Sequence, residues 1–349
     1  MNKEAEIYQT GNSWQKKVYR HMADFLQKKG VKIFGATSKG NQYKHWLTKE
    51  EAHFNFITPD ILDATLSRFK KHKAGNLNRI LTNTAASQPY CFNLIIYLQQ
   101  HPSLRNELFS NLLDKQVNVH HLEPEFTPNK SNTITGFEGT EDETIGDQKG
   151  KQGTDADIAV FYTYDNDKKG LLLIEFKFIE AGFSDCSSYK KKEHIKPLCN
   201  SSNYFVELIE QKKKDQSNNF LCGYNKFFNW QLTRKSKVLD IQKIKSSSAC
   251  PFRFSLNQLW RNMLLAEQVA SVRHCDEFGF WVFSPKENDN YLWKNEETEK
   301  QFREILTEQG NKHFKKIHLE TILDKLHKIV SEEQDKHWLT KMEEKYKIL

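Results

Sequence analysis

The sequence has no apolar run near the about 18 residues that would cross a bilayer as a helix, so no transmembrane helix is expected in its 349 residues. Prolines are few, only 8, while hydrophobic content reaches 38% and aromatic content 12%. That balance is globular rather than disordered. No Walker A sequence, G-x-x-x-x-G-K-[ST], is present, which argues against an ATP motor. No G-x-S-x-G nucleophile elbow occurs, and the acidic residues Glu143, Asp147 and Asp155 lack EF-hand spacing. The start, MNKEAEIYQTGNSW, has no secretory h-region, so a cytoplasmic location is expected. The six cysteines, Cys91, Cys186, Cys199, Cys222, Cys250 and Cys275, include no C-x-x-C pair. Free thiols in a reducing compartment are the default reading. Four of the six fall between 186 and 250, which leaves a structural zinc or iron–sulfur site open. There is no internal repeat and no low-complexity tract.

What is present is concentrated in Gly153 to Phe178, GTDADIAVFYTYDNDKKGLLLIEFKF. Ile158 to Tyr164 is β-branched and aromatic, as a strand should be. Asp165 to Gly170, DNDKKG, is dense in turn formers and closes a hairpin. Leu171 to Phe178, LLLIEFKF, begins as a central strand buried on both faces. Its end alternates, with Glu175 and Lys177 on one face and Phe176 and Phe178 on the other. The hairpin brings Asp157 to Glu175 and Lys177. Two carboxylates and a lysine on one face suit a divalent cation and a phosphodiester, and hard oxygen ligands favour Mg²⁺, with Mn²⁺ as a substitute. The bland alternative is an ordinary Glu/Lys pair on an edge strand.

The pattern Asp157-x17-Glu175-Phe176-Lys177 resembles the signature of the PD-(D/E)XK, or restriction-endonuclease-like, nuclease superfamily. Ser87 to Leu94, SQPYCFNL, and Gln258 to Ala266, QLWRNMLLA, are similar to a bacterial restriction-endonuclease-like branch. The likeness covers about residues 80 to 320. One departure is that Ala156, not proline, precedes Asp157. The resemblance implies an α/β fold with an α-β-β-β-α-β core around a mixed central sheet. It implies that Asp157 and Glu175 hold magnesium, with the Phe176 carbonyl as a further ligand. It implies that Lys177 positions the attacking water, and that Gln258 touches water or phosphate. A homodimer and partner proteins of a defence system are further expectations.

Net charge is only +7, but its distribution matters. From Tyr189 to Ser248 there are thirteen Lys/Arg against five Asp/Glu. Lys190, Lys191 and Lys192 form one run and Lys212, Lys213 and Lys214 another. Aromatics are interleaved: Tyr204, Phe205, Phe220, Tyr224, Phe227, Phe228 and Trp230. Cations neutralise phosphates and rings stack on bases. The alternative is a solvated basic face with its aromatics in the core. Glu138 to Asp147, EGTEDETIGD, reads as an acidic loop, a candidate flap over the site.

Along the chain, helices are expected at 13–29, from Thr58-Pro59-Asp60 onward, at 87–100, from Pro102 to about 115, at 256–272, at 296–309 and from 321 to about 347. A short apolar segment, VKIFG, follows the first helix. Strands are expected at 117–126, in the catalytic hairpin, at 277–283 and at 314–319, with 134–138 continuing or pairing with the first. This divides into an N-terminal helical layer (1–80), a nuclease core (81–320) with a basic insertion at about 185–250, and C-terminal helices (321–349).

Other candidates have two readings each. Arg261 shares the face of Gln258 and either holds a phosphate or makes a surface ion pair. Gln258 itself otherwise decorates an exposed helix face. Asn93 and Gln88 belong to the site or cap structure, and a buried Asn93 needs partners. Glu125 and Glu138 are candidate extra metal ligands. His120 and His121 are neighbours in a strand, face opposite sides and cannot share one ion without distortion. The expected function is metal-dependent hydrolysis of DNA, of restriction or phage-defence type. The alternatives are a silent nucleic-acid-binding or regulatory module of the same fold, or a nuclease acting on RNA.

Overall fold

The structure, a computed structural model, describes residues 6–37, 39–71, 75–128, 134–138, 147, 153–210 and 222–348. The run Lys212–Lys214 and most of the acidic stretch after Glu138 lie outside the described residues.

The first helix, α1 (Ser13–Lys28), starts at a capping box in which Asn12 and Gln15 exchange hydrogen bonds. It buries Trp14, Val18, Met22, Phe25 and Leu26 on one stripe. A small hairpin follows, β1 (Phe34–Ala36) and β2 (Gln42–Leu47), where the sequence shows only an apolar segment. Then come α2 (Pro59–Lys71), with proline at its first position as expected, and the short α3 (Leu77–Thr82). Helix α4 (Ser87–Gln100) is buried nearly all round, and α5 (Pro102–Leu113) turns back after it.

The sheet starts at β3 (Asn118–Phe126) and continues through β4 (Ala156–Tyr164) and β5 (Lys168–Phe176). Short helices α6 (Ser187–Lys191), α7 (Lys196–Cys199), α8 (Tyr224–Lys235) and α9 (Ile241–Lys245) precede the long α10 (Leu256–Val272). Strand β6 (Glu277–Ser284), short α11 (Asp289–Leu292), α12 (Glu297–Glu304), α13 (Glu308–His313) and β7 (Phe314–His318) follow. Helices α14 (Leu319–Ile329) and α15 (Glu333–Tyr346) come last.

The five strands lie in the order β3-β4-β5-β6-β7. β3, β4 and β5 are antiparallel, whereas β6 and β7 join β5 in parallel, so the sheet is mixed. Alternation along β4 and β5 feeds two cores. Ala159, Phe161, Leu171 and Leu173 pack with α10. Ile158, Val160, Tyr162, Leu172 and Ile174 pack with α4, α1, α14 and α15. Burial on both faces explains the unbroken apolar run of β5.

Two expectations are corrected. Residues 134–138 form a turn, closed by Phe137 N–H to Ile134 O, and not a strand. The helix expected over 296–309 is two helices, broken where Leu239 bridges Leu306 and the Thr307 side chain caps α13. Among the described residues, no helix is long and apolar enough to cross a membrane.

Candidate active site at the end of the central strands

The β4–β5 register pairs Ile158 with Ile174, which sets Asp157 opposite Glu175 one step further on. Directly opposed side chains in an antiparallel pair lie about 5 Å apart at Cβ. Asp157 Oδ2 accepts the Phe176 backbone N–H at 2.7 Å. Lys177 Nζ meets Glu175 Oε1 at 2.7 Å, and Glu175 and Lys177 are both buried. Sequence alternation thus brings together the three residues it singled out.

Helix α10 closes over them. Gln258 Nε2 donates to Glu175 Oε1 at 2.7 Å, and its Oε1 accepts from Lys177 Nζ and from the Ser184 N–H. Asn262, one turn further along α10, donates to Glu175 Oε2 at 2.6 Å. Both oxygens of Glu175 therefore have donors, as a buried carboxylate requires.

Glu180 is a second acidic neighbour whose charge acts on Lys177. It accepts from the backbone N–H groups of Phe178 and Ile179, from Ser87 Oγ at 2.8 Å and from Arg79. Burial alone would raise its carboxyl; Lys177, those N–H groups and Arg79 outweigh it and lower it. For Lys177 burial would lower the ammonium, but Glu175, Glu180 and Asp157 reverse the sign and raise it. Asp157 goes the other way: burial, then Glu175 and Glu125, push its carboxyl well up against Lys177 and the Phe176 N–H.

Glu125 lies in the same row, since Pro124 pairs with Ile158 on the other side of β4. Its φ of +53° breaks the alternation there, so Phe126 takes the α10-facing core. The Glu125 carboxylate accepts from Gln88 at 2.7 Å. Burial raises its carboxyl further, aided by Asp155 and Glu175. Cys91, under the strand, contacts the Asp157 carbonyl oxygen.

Other candidates lie elsewhere or are engaged. Asn93 is buried and saturated, bonding Asn55 O, Pro89 O, Tyr346 Oη and the Ile57 N–H. Arg261 donates to Thr154 Oγ1 and lies 3.6 Å from Asp147, which also takes Asn229. Glu138 has Lys169 and Arg273 as charged neighbours, at the turn end of β5. His120 pairs with Thr163 and His121 with Glu123. Lys190 is exposed beside Asp185, and Lys191 is exposed at the end of α6. Tyr204, Phe205 and Trp230 are buried in the core, so those three rings of the basic stretch are structural and face no base. All six cysteines are free thiols. Among the described residues, no group of three or more His, Cys, Asp or Glu is placed to hold a metal ion.

Sequence reasoning missed Asn262 and Glu180. Asn262 carries a legible signal, since it follows Gln258 at helical spacing. Glu180 lies beyond the strand, where alternation no longer places side chains.

Fold and site together define a mixed α/β protein with a buried acid–lysine cluster at the end of its central strands. The chain belongs to the family described as restriction endonuclease associating with ARP, whose model matches residues 19–347. No curated protein and no solved structure matches the chain. Membership points to a nuclease-like or defence role.

Proposed function

We propose that the protein is a metal-dependent nuclease of the PD-(D/E)XK type that hydrolyses phosphodiester bonds of DNA in restriction or phage defence. One observation carries this reading: Asp157 and Glu175 oppose each other in register, with the Lys177 ammonium against Glu175. The element order of helices α4 and α5, three antiparallel strands, the helical stretch ending in α10 and parallel β6 supports the same superfamily. So does the family description, which also names ARP as an associate and motivates a protein partner.

The donor set fits a magnesium ion. Mg²⁺ takes one or two carboxylates and completes its shell with waters and substrate phosphate. Asp157, Glu175 and the Phe176 carbonyl would hold it. An uncompensated Asp157 is pushed toward its neutral form by burial and by Glu175, and a cation removes that penalty. When bound, the ion supplies Lewis-acid charge and a more acidic water. The chain's own residues do the rest. Lys177 offers an N–H and a positive charge to the scissile phosphate or the attacking water. Gln258 and Asn262 fix the orientation of Glu175. The charge of Glu180 helps keep Lys177 protonated.

A second reading is a binding or regulatory module of the same fold. It draws on the closed set of donors around Glu175. Incubation with supercoiled plasmid, linear duplex, single-stranded DNA and RNA separates the two. Each substrate is tested with Mg²⁺, Mn²⁺ or EDTA, beside Lys177→Ala. Metal-dependent cleavage lost in a folded Lys177→Ala supports the nuclease and identifies its substrate. Salt-sensitive binding without cleavage supports the module.

A further inference from the structure

Among the described residues, three large apolar side chains are exposed, Ile33, Val206 and Phe254, and only Phe254 is aromatic. Phe254 is 48% exposed. It sits just before α10, one turn ahead of Gln258. The loop carrying it is tied to the loop leaving the catalytic strand: Cys186 N–H bonds Arg253 O, and Asn257 Nδ2 bonds Ser184 O. Ser184 in turn donates its N–H to Gln258. The ring therefore stands at the rim of the acid–lysine site.

Its surroundings are aromatic and cationic. The Tyr189 ring packs edge-on at 5.3 Å, and the Arg253 guanidinium lies 5.5 Å from the ring centroid. Both neighbours are pinned by one acceptor, since Tyr189 Oη and Arg253 Nη1 each donate to Asn200 Oδ1. Lys190 and Lys191 lie next to Tyr189 on α6 and are exposed. About half of the Phe254 ring stays exposed, and that part forgoes the energy of burial. A protein partner would favour a wider apolar patch. A half-exposed ring beside one aromatic and among cations suits a nucleobase with its phosphates, the arrangement that single-stranded nucleic acids use.

We propose that Phe254 is a base-stacking residue beside the nuclease site, with Arg253, Lys190 and Lys191 carrying the flanking phosphates. A base stacked on the ring has left its own stack there, so the favoured substrate is a single strand, an end or an opened duplex. This rests on the nuclease reading of Asp157, Glu175 and Lys177.

The test measures binding by fluorescence anisotropy in EDTA, where cleavage does not interfere. Labelled single-stranded DNA and RNA and a matching duplex are titrated with wild type, Phe254→Ala, Phe254→Trp and, as a surface control, Ile33→Ala. Phe254→Ala should weaken single-strand binding about tenfold, within the range of one base stacked on an aromatic. Phe254→Trp should restore it, Ile33→Ala should leave it unchanged, and the duplex should respond less. Equal single-strand affinity of Phe254→Ala and wild type overturns the inference, and if wild type still cleaves with metal the nuclease reading survives. If Phe254→Ala loses binding but wild type never cleaves, the stacking role stands and the nuclease reading falls. If wild type binds no nucleic acid, both fall.

Discussion

Asp157 and Glu175 face each other across β4 and β5, one step beyond the Ile158–Ile174 pair, and α10 covers Glu175 with two amide donors. Two opposed carboxylates, Glu175 buried and Asp157 half-buried, repel, so the pair is stabilised by a cation that enters. A ligand that binds only the folded state stabilises it, by about 2.7 kcal/mol at a hundredfold excess over Kd. Mg²⁺ or Mn²⁺ should therefore raise the thermal midpoint of the wild type, and Asp157→Asn should abolish the rise. Differential scanning fluorimetry with a metal titration reads this directly. An equal metal-dependent rise in the variant would sink the assignment of Asp157.

Asn262 is the orienting partner of Glu175 Oε2. Residues that orient a metal ligand typically contribute 10- to 100-fold to affinity or activity, so Asn262→Ala should lower kcat by about that factor. KM should change less, because Asn262 faces Glu175 and not the solvent side. The variant should also lose about 1–3 kcal/mol of stability, from a buried acceptor left without its donor. Wild-type turnover in Asn262→Ala would show that Gln258 and Lys177 suffice to hold Glu175.

The hairpin that carries Asp157, Glu175 and Lys177 is legible because its information is local. A strand's period of two places Glu175 and Lys177 together, and a turn-rich segment returns Asp157 to them. The helices at 87–100 and 256–272 were legible from apolar content. The β1–β2 hairpin was not, because its first strand is three residues long and half-exposed, leaving little pattern to read. Nor could composition sort the aromatics in and just beyond the basic stretch. Trp230 and Phe254 look alike in sequence, yet Trp230 packs on Phe252 and Trp260 in the core while Phe254 stays half-exposed. That distinction depends on tertiary packing alone.

Gly170 is required by a neighbour's ring. It pairs with Tyr162, and a Cβ on Gly170 would lie 2.2 Å from that ring. The ring is fixed by its hydroxyl, which donates to Glu277 Oε1 at 2.6 Å. Gly170→Ala must displace it, and overpacking of this kind typically costs about 1–3 kcal/mol. Urea denaturation should show that loss. In a double-mutant cycle with Tyr162→Leu, most of the cost should vanish, since the ring that clashes is gone. Additive effects of the two substitutions would place the strain elsewhere.

His45 gives the fold a pH dependence away from the acid–lysine site. Its ring is buried between Tyr19, stacked at 4.5 Å, and Tyr43 at 5.7 Å. Its Nδ1 has no hydrogen-bond partner among the described residues. Burial lowers its pKa from 6.5 to about 3. The folded state therefore resists protonation while the unfolded chain accepts it. Stability from this group is complete above pH 6.5 and is lost as pH falls toward about 3. The slope approaches one proton, or about 1.4 kcal/mol per pH unit. His45→Phe keeps a ring in the stack and removes the proton site. Its stability should fall less steeply than wild type between pH 6.5 and pH 4, by up to that one-proton slope. Urea titrations at pH 7, 5.5 and 4.5 measure the difference. Identical slopes would mean that His45 finds a way to charge within the fold, through a ring flip or admitted water.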